Sequence, residues 1–248
     1  MLRSVSMPMD VDQVTLHRLL DLQTEDTAIK RLSDRKARLP EAARLSEVTG
    51  QRAELDADLE IARKQRDEIG REQTRLEGEM ALLDTKIQRE EGRLFSGGVS
   101  NPKELGALQA EVESLKRKRA QLEDSLLEVM VQKDQATETV DRLETEQASA
   151  GTEQAELSTQ VGALTQDIDT QSTQHSSTRA EIAGTIPDQL LTLYETVREQ
   201  KHGVGAARLA GTTCEGCHTT LPSVEVERLR SAGGVQRCDN CRRILIIG

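Results

Sequence analysis

Cys214-Glu215-Gly216-Cys217 and, after an interval of 20 residues, Cys238-Asp239-Asn240-Cys241 hold all four cysteines of the chain. Two C-x-x-C pairs at this separation are the sequence form of a structural zinc site. Each turn brings two thiolates to one ion, and two turns complete a tetrahedron. The intervening chain must leave one turn and come back to face it, as a short hairpin or helix can. Four sulfurs leave no position for a substrate water, so the expectation is one structural Zn2+ on Cys214, Cys217, Cys238 and Cys241. A redox pair or two disulfides are the competing readings, and no βαβ pattern accompanies the motif. An iron site with the same ligands stays open.

Outward from this motif, the composition departs from that of a compact domain. The 248 residues include one Phe, one Tyr and no Trp, and 31% are charged. Such a chain lacks the large side chains that fill a globular core of this length and uses residues suited to long helices. The net charge is −10, which argues against a protein that coats DNA. No stretch has the length and apolarity of a signal peptide or a membrane span. Cysteines confined to one metal motif fit a reducing compartment, so a cytoplasmic location is expected.

The first 11 residues read as a disordered N-terminus. Residues 12–184 read as an antiparallel coiled-coil hairpin. Val14, Leu16, Leu19, Leu20, Leu22, Ile29, Leu32 and Leu39 carry a helical pattern up to Pro40, where a bend or short break is expected because proline suits only the first turn of a helix. From Leu45 to Leu94 a seam advances by alternating steps of three and four, and 11 of its 15 positions are apolar. Residues 96–102, with Gly97, Gly98 and Pro102, mark the tip, and Ser100 or Asn101 can cap the next helix. A second seam runs from Leu105 to Ile182, with 16 apolar positions of 23. Its helix would span about 120 Å. A short turn makes the two helices antiparallel neighbours, with Ile87 facing Val112, Leu59 facing Val140 and Leu55 facing Leu143. The far end of the second helix is left for the segment before Pro40, with a bend near 155. Arg66 and Lys133 sit in the seam and are expected to reach outward or to pair with acids such as Asp67 or Asp134.

Residues 185–200 read as a short linking helix with Leu190, Leu191, Tyr194 and Val197 on one side. Residues 201–248 read as a β-rich C4 zinc ribbon. Strand residues are expected before each cysteine pair and at Ile244 to Ile247, with Ser223 capping a helical turn. The fold class is therefore mainly α: a long hairpin with a small zinc ribbon.

Asn101-Pro102-Lys103-Glu104-Leu105 at the tip, Ile186-Pro187 with Tyr194, and the two cysteine pairs, followed by Leu221-Pro222 and by Arg243-Ile244-Leu245, resemble a largely uncharacterised bacterial family. That family joins an N-terminal coiled-coil hairpin to a C4-type zinc ribbon, and the likeness covers nearly the whole chain. It implies a non-enzymatic adaptor or chaperone-like protein; some relatives are linked to flagellar or secretion machinery and to an alternative sigma factor. Arg242 stands where the family often has Gly, which implies strain at a left-handed backbone position.

Two surfaces are candidates for partner contact. Residues 86–119 hold eight Lys and Arg against five Asp and Glu, including Lys116, Arg117 and Lys118; residues 120–182 hold three against thirteen. A basic tip beside an acidic shaft would orient a protein partner. In the ribbon, seven Lys and Arg stand against four acids, and four thiolates with one zinc ion leave about +1. Arg237, Arg242 and Arg243 flank the second knuckle and could touch nucleic-acid phosphate, but so small an excess without stacking aromatics disfavours that reading. His175 and His218 are weak ligand candidates beside a filled shell. No nucleophile–base pair or phosphate loop is visible. The expectation is a monomer or homodimer with protein partners, no enzyme activity and no membrane.

Overall fold

The computed structural model describes residues 11–247. Its elements are α1 Gln13–Ala37, α2 Pro40–Phe95, α3 Pro102–Ala183, α4 Asp188–Gln200, β1 Ala206–Ala210, β2 Thr213–Cys214, α5 Ser223–Ser231, β3 Gln236–Arg237 and β4 Ile244–Ile247. Apart from Val11, the N-terminus expected to be disordered lies outside the described residues, as does Gly248. The chain forms two compact units. Arg44–Leu157 is one; the described residues up to Ala43 and from Ser158 onward are the other.

Helix boundaries follow local chemistry. Asp12 caps α1, its carboxylate accepting from the Thr15 amide at 2.7 Å. A break follows at Arg38 and Leu39, and Pro40 is the first residue of α2, where its missing N–H costs nothing. At the tip, Asn101 accepts from the Lys103 amide at 3.0 Å and starts α3. α3 is one helical element of 82 residues. Ser172 to Ser177, weak helix formers, stay helical within it.

In the unit Arg44–Leu157, the seams of α2 and α3 meet in the expected register. Leu59, Ala62, Val140 and Leu143 form one cluster with Leu55 against it, and Ile87 and Val112 are both buried. Arg66 turns to Asp67 at 2.8 Å, as expected. Lys133 instead donates to Gln73 across the seam at 2.9 Å. Glu90 occupies a seam position and is buried, with Arg89 and Arg93 as partners. The hydrogen bonds from Arg89, and then from Arg93, hold its carboxyl below the ordinary range.

In the second unit the linking helix and the ribbon share packing. α4 is part of a core. Leu190 and Tyr194 pack with Leu16, Leu19 and Leu22 of α1 and with Ala206, Ile244 and Ile246 of the sheet. The strand order is β2-β1-β4-β3, with β1 and β4 parallel and the other pairs antiparallel. Successive side chains of a strand point to opposite faces. Ala207, Leu209 and Leu245 therefore face the other way, where they meet Leu221, Val226 and Leu229 under α5. Ser223 opens α5 as its first residue; Pro222 precedes it and no side-chain cap is made. The far end of α3 reaches α1, as expected: Ile168 packs with Leu32 and Leu39, and Lys36 pairs with Asp169 at 2.6 Å.

A buried polar network ties this unit together. The Tyr194 hydroxyl donates to Asp26 at 2.7 Å, and Arg179 Nε donates to the same carboxylate at 2.7 Å. Gln23 accepts from the Gly205 amide at 2.6 Å and donates to the Gly203 carbonyl at 3.0 Å. Tyr194→Phe would remove a donor from a buried carboxylate. We expect it to lower the stability of this unit by about 1–3 kcal/mol, read as a fall in the urea midpoint followed by circular dichroism. An unchanged midpoint would show that the hydroxyl contributes nothing.

Candidate metal centre

The four cysteines are held by two similar turns. In the first, the His218 amide donates to the Cys214 carbonyl at 2.7 Å and the Cys214 amide to the Thr219 carbonyl at 3.1 Å. In the second, the Arg242 amide donates to Cys238 at 2.8 Å and the Cys238 amide to Arg243 at 3.0 Å. Each turn follows a short strand, β2 or β3, and α5 brings the second turn to face the first.

The sulfurs fit one metal ion. Cys214 Sγ lies 4.0 Å from Cys241 Sγ, Cys217 Sγ lies 3.9 Å from Cys238 Sγ, and all four lie within 4.8 Å of one another. A tetrahedral zinc with bonds of about 2.3 Å needs sulfurs roughly 3.8 Å apart. A disulfide needs about 2.05 Å, so the cysteines are free thiols and that reading is excluded.

Cys214 and Cys238 are fully buried, whereas Cys217 and Cys241 are half-buried. Burial pushes the Cys214 thiol up to about 12 and raises that of Cys238. Burial also opposes ionisation of Cys217. Hydrogen bonds from Thr219 and Asn240 outweigh it and draw that thiol down to about 6. Amides of Gly216 and Cys217 point at Cys214, and those of Asn240 and Cys241 at Cys238. The amides favour thiolates while the burial disfavours them, which is an environment made for a cation.

Both turns place a side chain in left-handed backbone. His218 has φ 57° and Arg242 has φ 65°. The strain expected at Arg242 is present, and His218 shares it. Glycine has no Cβ to clash there. Gly216 is under the opposite constraint, because an added Cβ would lie 2.8 Å from both Ala207 Cβ and Arg243 Cδ.

The partner-contact candidates separate on inspection. Arg243 is turned inward, donating to the Val204 carbonyl at 3.0 Å and the Lys201 carbonyl at 3.2 Å. It joins the second turn to the end of α4 and is withdrawn from the phosphate-contact set. Arg242 lies 3.7 Å from Asp239, and Arg237 is exposed. Near the tip, Lys116 pairs with Glu91 at 2.6 Å, while Arg117 and Lys118 are exposed with no ion pair among the described residues. His175 hydrogen-bonds Glu25 at 2.6 Å and His218 is exposed; among the described residues only the four cysteines group as metal ligands. Asp26 and Gln23 belong to no recognisable motif, although they continue the three-and-four spacing of Leu16 and Leu19.

Arg242→Gly and His218→Gly should each stabilise the ribbon by up to about 1 kcal/mol, strain relief exceeding the added freedom of the unfolded chain. A raised thermal midpoint at saturating zinc would register the gain, and a lowered midpoint in both variants would refute the strain argument.

Comparison with known proteins agrees with this construction. Residues 22–202 match the CT398-like coiled coil hairpin domain, and residues 213–245 match the C4-type zinc ribbon domain. Two uncharacterized Mycobacterium tuberculosis proteins, Rv2229c and MT2288, are 30% identical over 235 residues, covering 92% of this chain and 93% of theirs. A solved structure from Mycobacterium smegmatis has a TM-score of 0.82 at 27% identity, covering 97% of this chain and 100% of its own. CT398 from Chlamydia trachomatis shares the fold at 18% identity, with a TM-score of 0.69 over 95% of this chain and 98% of its own. The chain belongs to the CT398-like coiled-coil hairpin family and carries that family's hairpin ahead of a C4-type zinc ribbon.

Proposed function

We propose that the chain is a non-enzymatic, cytoplasmic adaptor or chaperone-like protein that acts through protein–protein contacts, with one structural zinc ion in its ribbon. The observation that carries this reading is the four-sulfur ligand set of the metal site. Four sulfurs complete the shell, and the sheet beside them is covered by α1 and α4 on one face and by α5 on the other. A metal so placed supports a surface and offers no open coordination position. The inward turn of Arg243 also weakens the nucleic-acid reading, since Arg237 and Arg242 alone remain at the second knuckle and Asp239 stands beside Arg242. Among the described residues, no helix is long and apolar enough to cross a membrane.

Metal analysis of freshly purified protein should find one zinc per chain, and Cys238→Ser should abolish it. Because zinc binding supplies much of the folding energy of such a module, that variant should also lose the ribbon's amide dispersion by NMR. The α2–α3 helical signal in circular dichroism should persist. Iron in place of zinc, or a metal-free protein with full dispersion, would defeat the assignment.

The competing classes separate by titration. Labelled single-stranded RNA should show no binding below about 1 µM at physiological salt, because a net charge of −10 repels a polyanion. A stoichiometric protein partner should be recovered from lysate, and reversing the charges of Lys116, Arg117 and Lys118 should weaken its capture if the tip steers the encounter. Tight, salt-sensitive RNA binding that requires Arg237 and Arg242 would replace the adaptor reading.

A further inference from the structure

The large exposed apolar side chains are mostly single residues: Val14, Ile61, Leu82, Phe95 and Val224. Isolated exposure of this kind needs no explanation. Leu127, Met130 and Val131 are different. They are 56%, 42% and 57% exposed, and they follow one another at i, i+3 and i+4 on α3. That spacing makes them one contiguous stripe. It begins at the edge of the seam, where Met130 stands one turn after buried Leu126, and turns outward through Leu127 and Val131. The hairpin core leaves Leu127 and Val131 largely uncovered.

The stripe has a charged border of one sign. Asp124 precedes it, Glu128 flanks it and Asp134 follows it, and all three are exposed. None of their carboxylates has an ion pair or hydrogen bond among the described residues, as is also true of those of Glu138 and Asp141 further along α3. Three apolar anchors at helical spacing, bordered by unneutralised carboxylates, match a helix of opposite pattern: apolar at i, i+3 and i+4, with lysine or arginine beside those positions. A second copy of this chain is a poor occupant. Stripe against stripe would bring three carboxylates of each copy together, and like charges across an interface oppose association.

We propose that Leu127, Met130 and Val131, with Asp124, Glu128 and Asp134 around them, form a docking face for a basic amphipathic helix of a partner protein. This inference rests on the adaptor reading and names the partner chemistry for one of its surfaces. The apolar side chains supply the contact, and the acids orient the incoming helix and exclude acidic competitors.

A fluorescein-labelled amphipathic peptide of leucine and lysine is the probe, titrated against the full chain by anisotropy. A peptide of identical composition in scrambled order is the control. The amphipathic peptide should bind, with the scrambled one about tenfold weaker or worse. Leu127→Gln combined with Val131→Gln should weaken binding about tenfold at unchanged net charge. Asp124→Asn with Asp134→Asn should weaken it and flatten its dependence on salt. All four positions are exposed, so the variants should keep wild-type circular dichroism. Absence of peptide binding, equal affinity for both peptides, or full binding by the Leu127→Gln, Val131→Gln chain would overturn the proposal. So would a concentration-dependent dimer in sedimentation that this double variant dissolves, since the occupant would then be a second copy. Such failures remove this face and leave the adaptor reading standing if a protein partner is still captured; tight RNA binding would remove the adaptor reading itself.

Discussion

The carboxylate of Asp26 is the constraint on which the unit containing the ribbon depends. It is 3% exposed, and an ion taken so far out of water costs several kcal/mol unless its oxygens are fully engaged. They are. One oxygen accepts from Arg179 at 2.7 Å and lies 3.2 Å from Arg198; the other accepts from Tyr194 at 2.7 Å. The Asp26 contact keeps Arg179 protonated beyond its ordinary range, while burial, then Asp26 itself, raises the Tyr194 hydroxyl. The donors come from α3 and α4, the acceptor from α1. Gln23, one turn before Asp26, repeats the arrangement on the chain entering β1. Apolar packing alone would let these helices slide; satisfying a buried charge and a buried amide permits one arrangement.

The metal site and this network act on opposite faces of one small sheet. Ala206, Ile244 and Ile246 lie toward α1 and α4, while Ala207, Leu209 and Leu245 lie toward α5 and the cysteines. Four short strands cannot bury enough surface to stand alone. The thiolate site organises one face and α1 closes the other, so the ribbon is a shared element of a larger core. Gly205 marks how close the two parts come, since an added Cβ there would meet the Tyr194 ring and its carbonyl at 2.8 Å.

What the sequence reveals, and what it hides, follows from the range of the interactions. The cysteine pairs and the two seams are local repeats, and each states its own geometry. Leu59 against Val140 follows from counting once the tip at residues 96–102 is placed. β1 is hidden because Ala206-Ala207-Arg208-Leu209-Ala210 has the composition of a helix and becomes a strand only through parallel pairing with β4, far along the chain. The role of α4 is hidden for the same reason: its apolar side is visible, but the surface it meets is assembled from α1 and the sheet. Arg243 reads as a surface cation because nothing local shows that two carbonyls of residues 201–204 await it. Asp26 and Gln23 are the instructive case, since polar residues continuing the seam spacing of Leu16 and Leu19 were a signal of buried partners.

Polar seam residues in the other unit carry the same lesson about register. A seam of leucine alone tolerates a slip of one heptad, because every knob finds an equivalent hole. Here Arg119 reaches Asp84, Lys133 reaches Gln73, Gln147 reaches Asp56 and Gln154 reaches Thr49, each across the two helices. A seven-residue slip would bring Lys133 to Arg66 or Met80 in place of Gln73, although Arg119 would still meet an acid, Glu77 or Glu91. The individual bonds are partly exposed and contribute little to stability. Their effect is to raise the energy of the slipped alternatives, so that the tip, the basic run beside it and the exposed stripe of α3 keep fixed positions along the hairpin. Under the proposed adaptor reading, that fixity matters more than the last increment of stability.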